Sequence, residues 1–301
     1  MLPSSSGHRI EDRECAICFE AVAEATVLPC ACNVDYCARC WDRALAQSFN
    51  SCGHARCPTC RGPVCVDYDS EKCGLVFSPE AKSPSIDSEG DKAGADKQAA
   101  MCETMQKLRE QALPTQLKHL RDYGGRHPHI KDIAGSPDAH LRNMSASALK
   151  LLIDSVGGSA ENCLEKEELV CQLEKAGQGE VVCSILSEAV AECPTCVCGS
   201  SLEWVSGRER TKRACEVLFP GVPLESERFQ ILQEMFKEKC GSACFCDLCS
   251  CPLPCSSGVW TCKNGNSTIL HATAYDVCSK CFVRHACAGD DMYMGTHSKV
   301  A

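Results

Sequence analysis

Residues 15–60 read CAICFEAVAEATVLPCACNVDYCARCWDRALAQSFNSCGHARCPTC. Eight cysteines in this stretch fall as Cys15-x2-Cys18-x11-Cys30-x-Cys32-x4-Cys37-x2-Cys40-x16-Cys57-x2-Cys60. Two cysteines two residues apart on a tight turn present their thiolates to one metal ion, and four thiolates close a tetrahedral zinc site. Eight ligands at this spacing suit two zinc ions held alternately. Cys15, Cys18, Cys37 and Cys40 would hold the first, and Cys30, Cys32, Cys57 and Cys60 the second. Cys52 and His54 stand close enough in sequence to be alternatives to Cys32. Interleaving of this kind ties together a stretch too short to bury a useful core.

The rest of the chain supports a metal reading. Of 301 residues 29 are cysteine. Further Cys-x-x-Cys pairs stand at 193/196, 246/249 and 278/281, a recurrence that metal binding asks for and disulfide pairing does not. The N-terminal MLPSSSGHRIEDRE has no apolar signal core, so the expectation is an intracellular protein of cytoplasm or nucleus. No apolar run approaches the ~20 residues of a membrane helix. A net charge of -9 argues against a nucleic-acid partner, which asks for a basic surface. Aromatic residues make up only 5%, which predicts thin cores and a large share of folding free energy from metal.

Residues 12–66 resemble the RING finger family through ECAICFE, LPCAC, YCARCW and CPTCRGPV. The chain has Cys32 where most members have histidine, and in this it is similar to the variant fingers with cysteine there. The resemblance implies a ubiquitin-protein ligase that forms no covalent intermediate. Such a protein holds a ubiquitin-loaded conjugating enzyme and positions the thioester for attack by a protein substrate. It also implies contact residues: Ile17 between the first two ligands, Trp41 after the sixth, Pro58 inside CPTC, and Arg61 after the last. The guanidinium of Arg61 suits a bidentate bridge between ubiquitin and its carrier.

Residues 78–100 are rich in Ser, Pro, Gly, Ala, Asp and Lys and read as a disordered linker. Met101, Met105, Leu108, Leu113, Leu117 and Leu120 then recur at helical spacing, with Pro114 expected to break or kink the helix. Glycines and prolines over 124–137 read as loop, completing a helix-and-loop segment over 101–140. Residues 141–176 read as two helices. Ser145 caps the first, whose inward face is Leu149, Leu152, Ile153 and Val156. Leu169, Val170 and Leu173 face inward on the second. This pair resembles the SAP helix–turn–helix family, but four basic against six acidic side chains disfavour DNA. Residues 180–192 add a third amphipathic helix.

The C-terminal region, 193–288, carries helices over 208–219 and 225–239, and then the knuckle Cys246-x2-Cys249. GVWTC at 258–262 reads as a strand, Asn264-Gly265 as a hairpin turn, and STILHAT at 267–273 as the return strand. A helix from Tyr275 carries Cys278 and Cys281, closing a four-cysteine site with Cys246 and Cys249. The grammar is similar to ZZ-type and related treble-clef fingers, which bind peptides or protein termini. Cys193, Cys196 or Cys198, with Cys262, His285 or Cys287, are candidates for a second zinc here. The fold expected is a set of small zinc-stabilised α+β modules: a RING cross-brace, a central α-helical segment and a treble-clef-like zinc domain. The expected function is ubiquitin transfer, with a non-catalytic zinc-dependent adaptor as the rival.

Overall fold

The computed structural model describes residues 13–79 and 93–287, apart from 157, 162, 164, 177, 219–220, 224–225, 228–229, 232–233, 235–243 and 272–273. The chain divides into two compact units, residues 1–111 with 266–272, and residues 112–265 with 273–301. Among the described residues no helix is long and apolar enough to cross a membrane.

In the first unit, two knuckle turns flank helix α1 (Ala38–Cys52), and a hairpin of β1 (Val64–Asp69) and β2 (Gly74–Pro79) follows. The helix buries Cys40, Trp41, Leu45, Ala46 and Phe49, the spacing of one helical face, and stops at Gly53 in the left-handed region (φ 75°). The strands pair antiparallel from Val64–Pro79 to Asp69–Gly74. Val64, Val66 and Tyr68 point inward by the two-residue alternation of a strand. Asp69 Oδ1 accepts from the amides of Glu71 and Lys72, closing the turn. Trp41 packs between Tyr36 (5.4 Å between ring centroids) and Phe77 of β2 (5.9 Å). Strand β2 therefore takes residues 78 and 79 out of the expected linker.

Helix α2 runs unbroken over Ala93–Arg126 with Pro114 inside it, so residues 93–100 are helical too. Residues 80–92 of the expected linker lie outside the described residues. Leu108, Ala112, Leu120 and Tyr123 are buried along α2 on both sides of the proline. Burying side chains of this size at about 1.5–3 kcal/mol each outweighs the ~3 kcal/mol that an interior proline costs.

The second unit holds a conventional apolar core. The expected loop at 124–137 is instead the end of α2, α3 (His129–Gly135) and the start of α4 (Pro137–Asn143). Pro128 and Pro137 sit at the entries to these helices, where a proline favours initiation. Ile130, Ile133 and Leu141 turn inward. Helices α5 (Ala146–Ser155), α6 (Lys166–Ala176) and α7 (Gln178–Ala189) follow. Every residue expected on the inward faces of α5 and α6 is buried. Ser145 caps α5 as expected, its Oγ accepting from Ala148 N at 3.2 Å. Replacing Ser145 with Ala should cost about 1 kcal/mol, read as a lower denaturant midpoint with an unchanged slope.

Strand β3 (Leu202–Ser206), helix α8 (Gly207–Leu218), β4 (Gly258–Cys262), β5 (Asp276–Cys278) and α9 (Ser279–Phe282) complete this unit. The sheet order is β3-β4-β5, both pairs antiparallel. Asn264-Gly265 does turn, with Gly265 at φ 52° and its N–H on Cys262 O at 3.0 Å. The chain beyond it does not return as a strand, because β3 and β5 already occupy both edges of β4. Ile269–His271 form a 3-10 turn in the first unit instead. The helix expected over 225–239 falls largely outside the described residues. Glu180 of α7 joins the sheet to α9, accepting from Gly258 N (2.6 Å) and Ser279 Oγ (2.7 Å). Trp204 Nε1 donates to Ser184 Oγ on the same helix at 3.0 Å.

Candidate metal centres

Four short turns share one backbone geometry. In three of them the first cysteine donates its N–H to the carbonyl five residues on: Cys15 to Glu20, Cys57 to Gly62 and Cys246 to Cys251, each at 2.9 Å. The residue four along donates back: Phe19 to Cys15, Arg61 to Cys57 and Ser250 to Cys246, each at 2.8 Å. That fourth residue is left-handed in every case, with φ 59° at Phe19 and 57° at Arg61 and Ser250. The fourth turn, Cys196-Val197-Cys198-Gly199, is one residue shorter and puts a glycine at the left-handed place (φ 81°). Isolated bridges close the base of each turn: Glu14–Ala21, Arg56–Pro63, Thr195–Ser201 and Phe245–Pro252. Non-glycine residues at positive φ store about 1–3 kcal/mol of strain each. The same outlier at three homologous places marks a built device that aims two sulfurs to one side.

The sulfurs converge accordingly. Those of Cys15, Cys18, Cys37 and Cys40 all lie within 4.8 Å of one another, as do those of Cys30, Cys32, Cys57 and Cys60, and those of Cys246, Cys249, Cys278 and Cys281. Four zinc–sulfur bonds of about 2.3 Å in a tetrahedron put sulfurs about 3.8 Å apart. Observed separations are 4.0 Å for Cys18–Cys37, 3.6 Å for Cys30–Cys57, 3.9 Å for Cys32–Cys57 and 3.9 Å for Cys249–Cys278. A further group contains Cys196, Cys198 and Cys262, with Cys198 and Cys262 at 3.6 Å. These groups are positioned for zinc, and nothing softer than thiolate is needed to select it over calcium or magnesium. Cys52 belongs to no group. Its thiol is taken up by Ser48 and the carbonyl of His54, which leaves Cys32 as the fourth sulfur of its set.

Crowding splits the thiol acidities within each set. Burial raises Cys15, but N–H donors of Cys18, Cys37 and Ile17 bring it down to about 6, while burial and its neighbours push Cys40 up to about 12. The Gly62 amide and neighbouring thiols bring Cys60 down to about 7, and Cys60 and Cys30 push Cys32 up to about 12. Thiols of Cys246 and Cys281 lower Cys278 to about 4, helped by the Cys281 amide at the start of α9, and Cys281 is raised in turn. A divalent cation removes this conflict by taking all four sulfurs as thiolates.

The expected contact residues separate into two kinds. Ile17 is 41% exposed on the first turn, and Pro58 and Arg61 are exposed on the second. Trp41 is 0% exposed and belongs to the core between Tyr36 and the β1–β2 hairpin, so its side chain does not line a surface groove. In the second unit, among the described residues, Cys193 and His285 join no candidate metal group; Cys198 does, together with Cys196 and Cys262. His285 is instead buried, and burial together with Arg284 and Arg121 holds its imidazole below the usual value. The glycine after Cys198 was the signal that distinguishes a short knuckle from the competing Cys193-x2-Cys196 spacing. Comparison of the chain with protein-family models, with curated proteins and with solved structures finds no match.

Proposed function

We propose that the protein is a RING-type ubiquitin-protein ligase, its first unit recruiting a ubiquitin-loaded conjugating enzyme and its second capturing a protein substrate. The observation that carries this reading is the alternation of the first two cysteine sets along the chain, first and third pairs against second and fourth. Exposure of Ile17, Pro58 and Arg61 on the two turns supports it. The transfer needs no group of this chain to form a bond: the substrate amine attacks the thioester carbonyl, the C–N bond forms, and the conjugating enzyme's thiolate leaves. The ligase supplies position and charge. The treble-clef reading of the Cys246 set belongs to the same proposal, with peptide capture as its role.

Arg61 allows a clean test. Its left-handed backbone would suit glycine, yet the chain keeps an exposed arginine there. In Arg61→Gly, relief of strain and the added freedom of the unfolded chain are each about 1 kcal/mol and opposite in sign. Stability and zinc content should therefore stay near wild type. Ubiquitin discharge from a charged conjugating enzyme should fall about tenfold or more, the effect of about 1.4 kcal/mol lost at the transition state. Purified protein with ubiquitin, activating enzyme and a panel of conjugating enzymes provides the assay. No discharge with any panel member, beside an active RING control, would leave the zinc-dependent adaptor as the better reading. The buried Trp41 is the observation in that rival's favour.

A further inference from the structure

We propose that Cys215, Cys244 and Cys255 form an additional thiolate site in the second unit, and that its ligand is Zn2+. None of the three belongs to the groups above, and none is in a disulfide. Cys215 and Cys244 are buried and Cys255 is half-buried. Their convergence follows from the way α8 seats on the 244–257 segment. Thr211 and Cys215 stand one turn apart on the same face of α8, and Thr211 Oγ1 lies 3.4 Å from Cys255 Sγ. At the start of that helix Gly207 donates to Ser257 O at 2.6 Å. A Cβ on Gly207 would stand 2.3 Å from Pro254 O and 3.1 Å from the Cys255 Cα, so only glycine lets the two segments meet this closely. Cys244 O accepts from Leu253 N at 2.9 Å, which places Cys244 across from the strand-like segment that ends in Cys255.

The three thiols lie within electrostatic reach of one another, and the Arg210–Asp276 ion pair lies within reach of Cys244. A single buried cysteine is an ordinary small apolar residue. Three around one spot, with one of them reaching solvent, match what a thiophilic cation needs: thiolates and an entry path. Their sulfurs are not all within the 4.8 Å that defines the other groups, so binding Zn2+ would require them to close in. The step balances as Zn2+ plus three thiols giving a tris-thiolate complex of charge -1 and three protons released, a fourth donor completing the tetrahedron.

Native mass spectrometry of the full chain, purified in zinc-replete reducing buffer, tests this. Cys255→Ser and Cys215→Ser should each lower the zinc count by one ion relative to wild type. An unchanged count in Cys255→Ser, whose partly exposed position tolerates serine, overturns the proposal. A second readout avoids dependence on a variant's folding. Wild-type protein loaded with 113Cd should show one resonance, from a site with three sulfurs, beyond those of the sites already described, and Cys255→Ser should lose that resonance alone. A wild-type spectrum without it also overturns the proposal.

Discussion

A strong chelator in reducing buffer will unfold residues 13–79 while the helices at 129–189 keep much of their protection against hydrogen exchange. The difference arises from what each region has apart from metal. The first unit draws its two four-cysteine groups from 46 residues, 15 to 60, and three of its four cysteine pairs lie on turns or loops. A structural zinc contributes about 10–16 kcal/mol at neutral pH, against a typical net domain stability of about 5–15 kcal/mol. Losing an ion from each of the two groups would therefore exceed anything that Trp41, Leu45, Phe49 and the hairpin can return. Helices α3 to α7 instead bury Ile130, Ile133, Leu141, Leu149, Leu152, Leu169, Leu173, Val182, Ile185 and Leu186 without a metal ligand among them. Acid should act as the chelator does. Cys60, Cys15 and Cys278 are depressed to about 7, 6 and 4. Thiols depressed in the folded state contribute stability that is present above their unfolded value and lost as pH falls through the folded one. Zinc needs every sulfur of a set as thiolate, so protons compete with it and zinc release should rise as pH falls, followed by a zinc-sensitive dye. Retention of exchange protection over 13–79 in the metal-free protein would remove the ligase proposal's scaffold.

That contrast also separates what the sequence discloses from what it hides. The cysteine groups are legible because zinc would demand one residue type at fixed local spacing, and all twelve sulfurs of the three four-cysteine groups converge as that spacing requires. The faces of α5 and α6 are legible because apolar residues recur at the helical period. The β1–β2 hairpin was lost because a module boundary drawn at residue 66 cuts through β1, hiding the alternation of Val64, Val66 and Tyr68. Losing the hairpin misplaced Trp41, whose burial depends on Phe77. The low aromatic content suggested thin cores, but α3 to α7 build theirs from leucine, isoleucine and valine. The strand expected over 267–273 failed for a non-local reason: which edge of β4 is free depends on β3, more than fifty residues earlier.

Arg210→Met should be among the most destabilising single substitutions in the second unit, at about 3–5 kcal/mol. Arg210 is 6% exposed and Asp276 3%, with Arg210 Nε donating to Asp276 Oδ1 at 2.8 Å and Oδ2 at 3.0 Å. Burial works against the guanidinium charge, and Asp276 more than offsets it, leaving Arg210 held more firmly protonated than a free arginine. The pair reaches the metal group through the backbone. Asp247, inside the Cys246–Cys249 turn, accepts from Asp276 N at 2.6 Å and donates its own N–H to Asp276 O at 2.8 Å. Asp276 stands two residues before Cys278. One ion pair thus fastens α8 to both halves of the Cys246, Cys249, Cys278 and Cys281 set. Removing Arg210 strands a buried carboxylate between two ligand pairs, so Arg210→Met should also speed zinc loss from this group. Asp276→Asn keeps the shape and the backbone bonds but strands the arginine. A double-mutant cycle decides whether the pair acts as a unit: Arg210→Met with Asp276→Asn should cost clearly less than the two single changes added together. Additive losses, or an Arg210→Met cost under about 1 kcal/mol of the kind seen for exposed pairs, would show that α8 is held by packing and that the buried charges are incidental to the metal group.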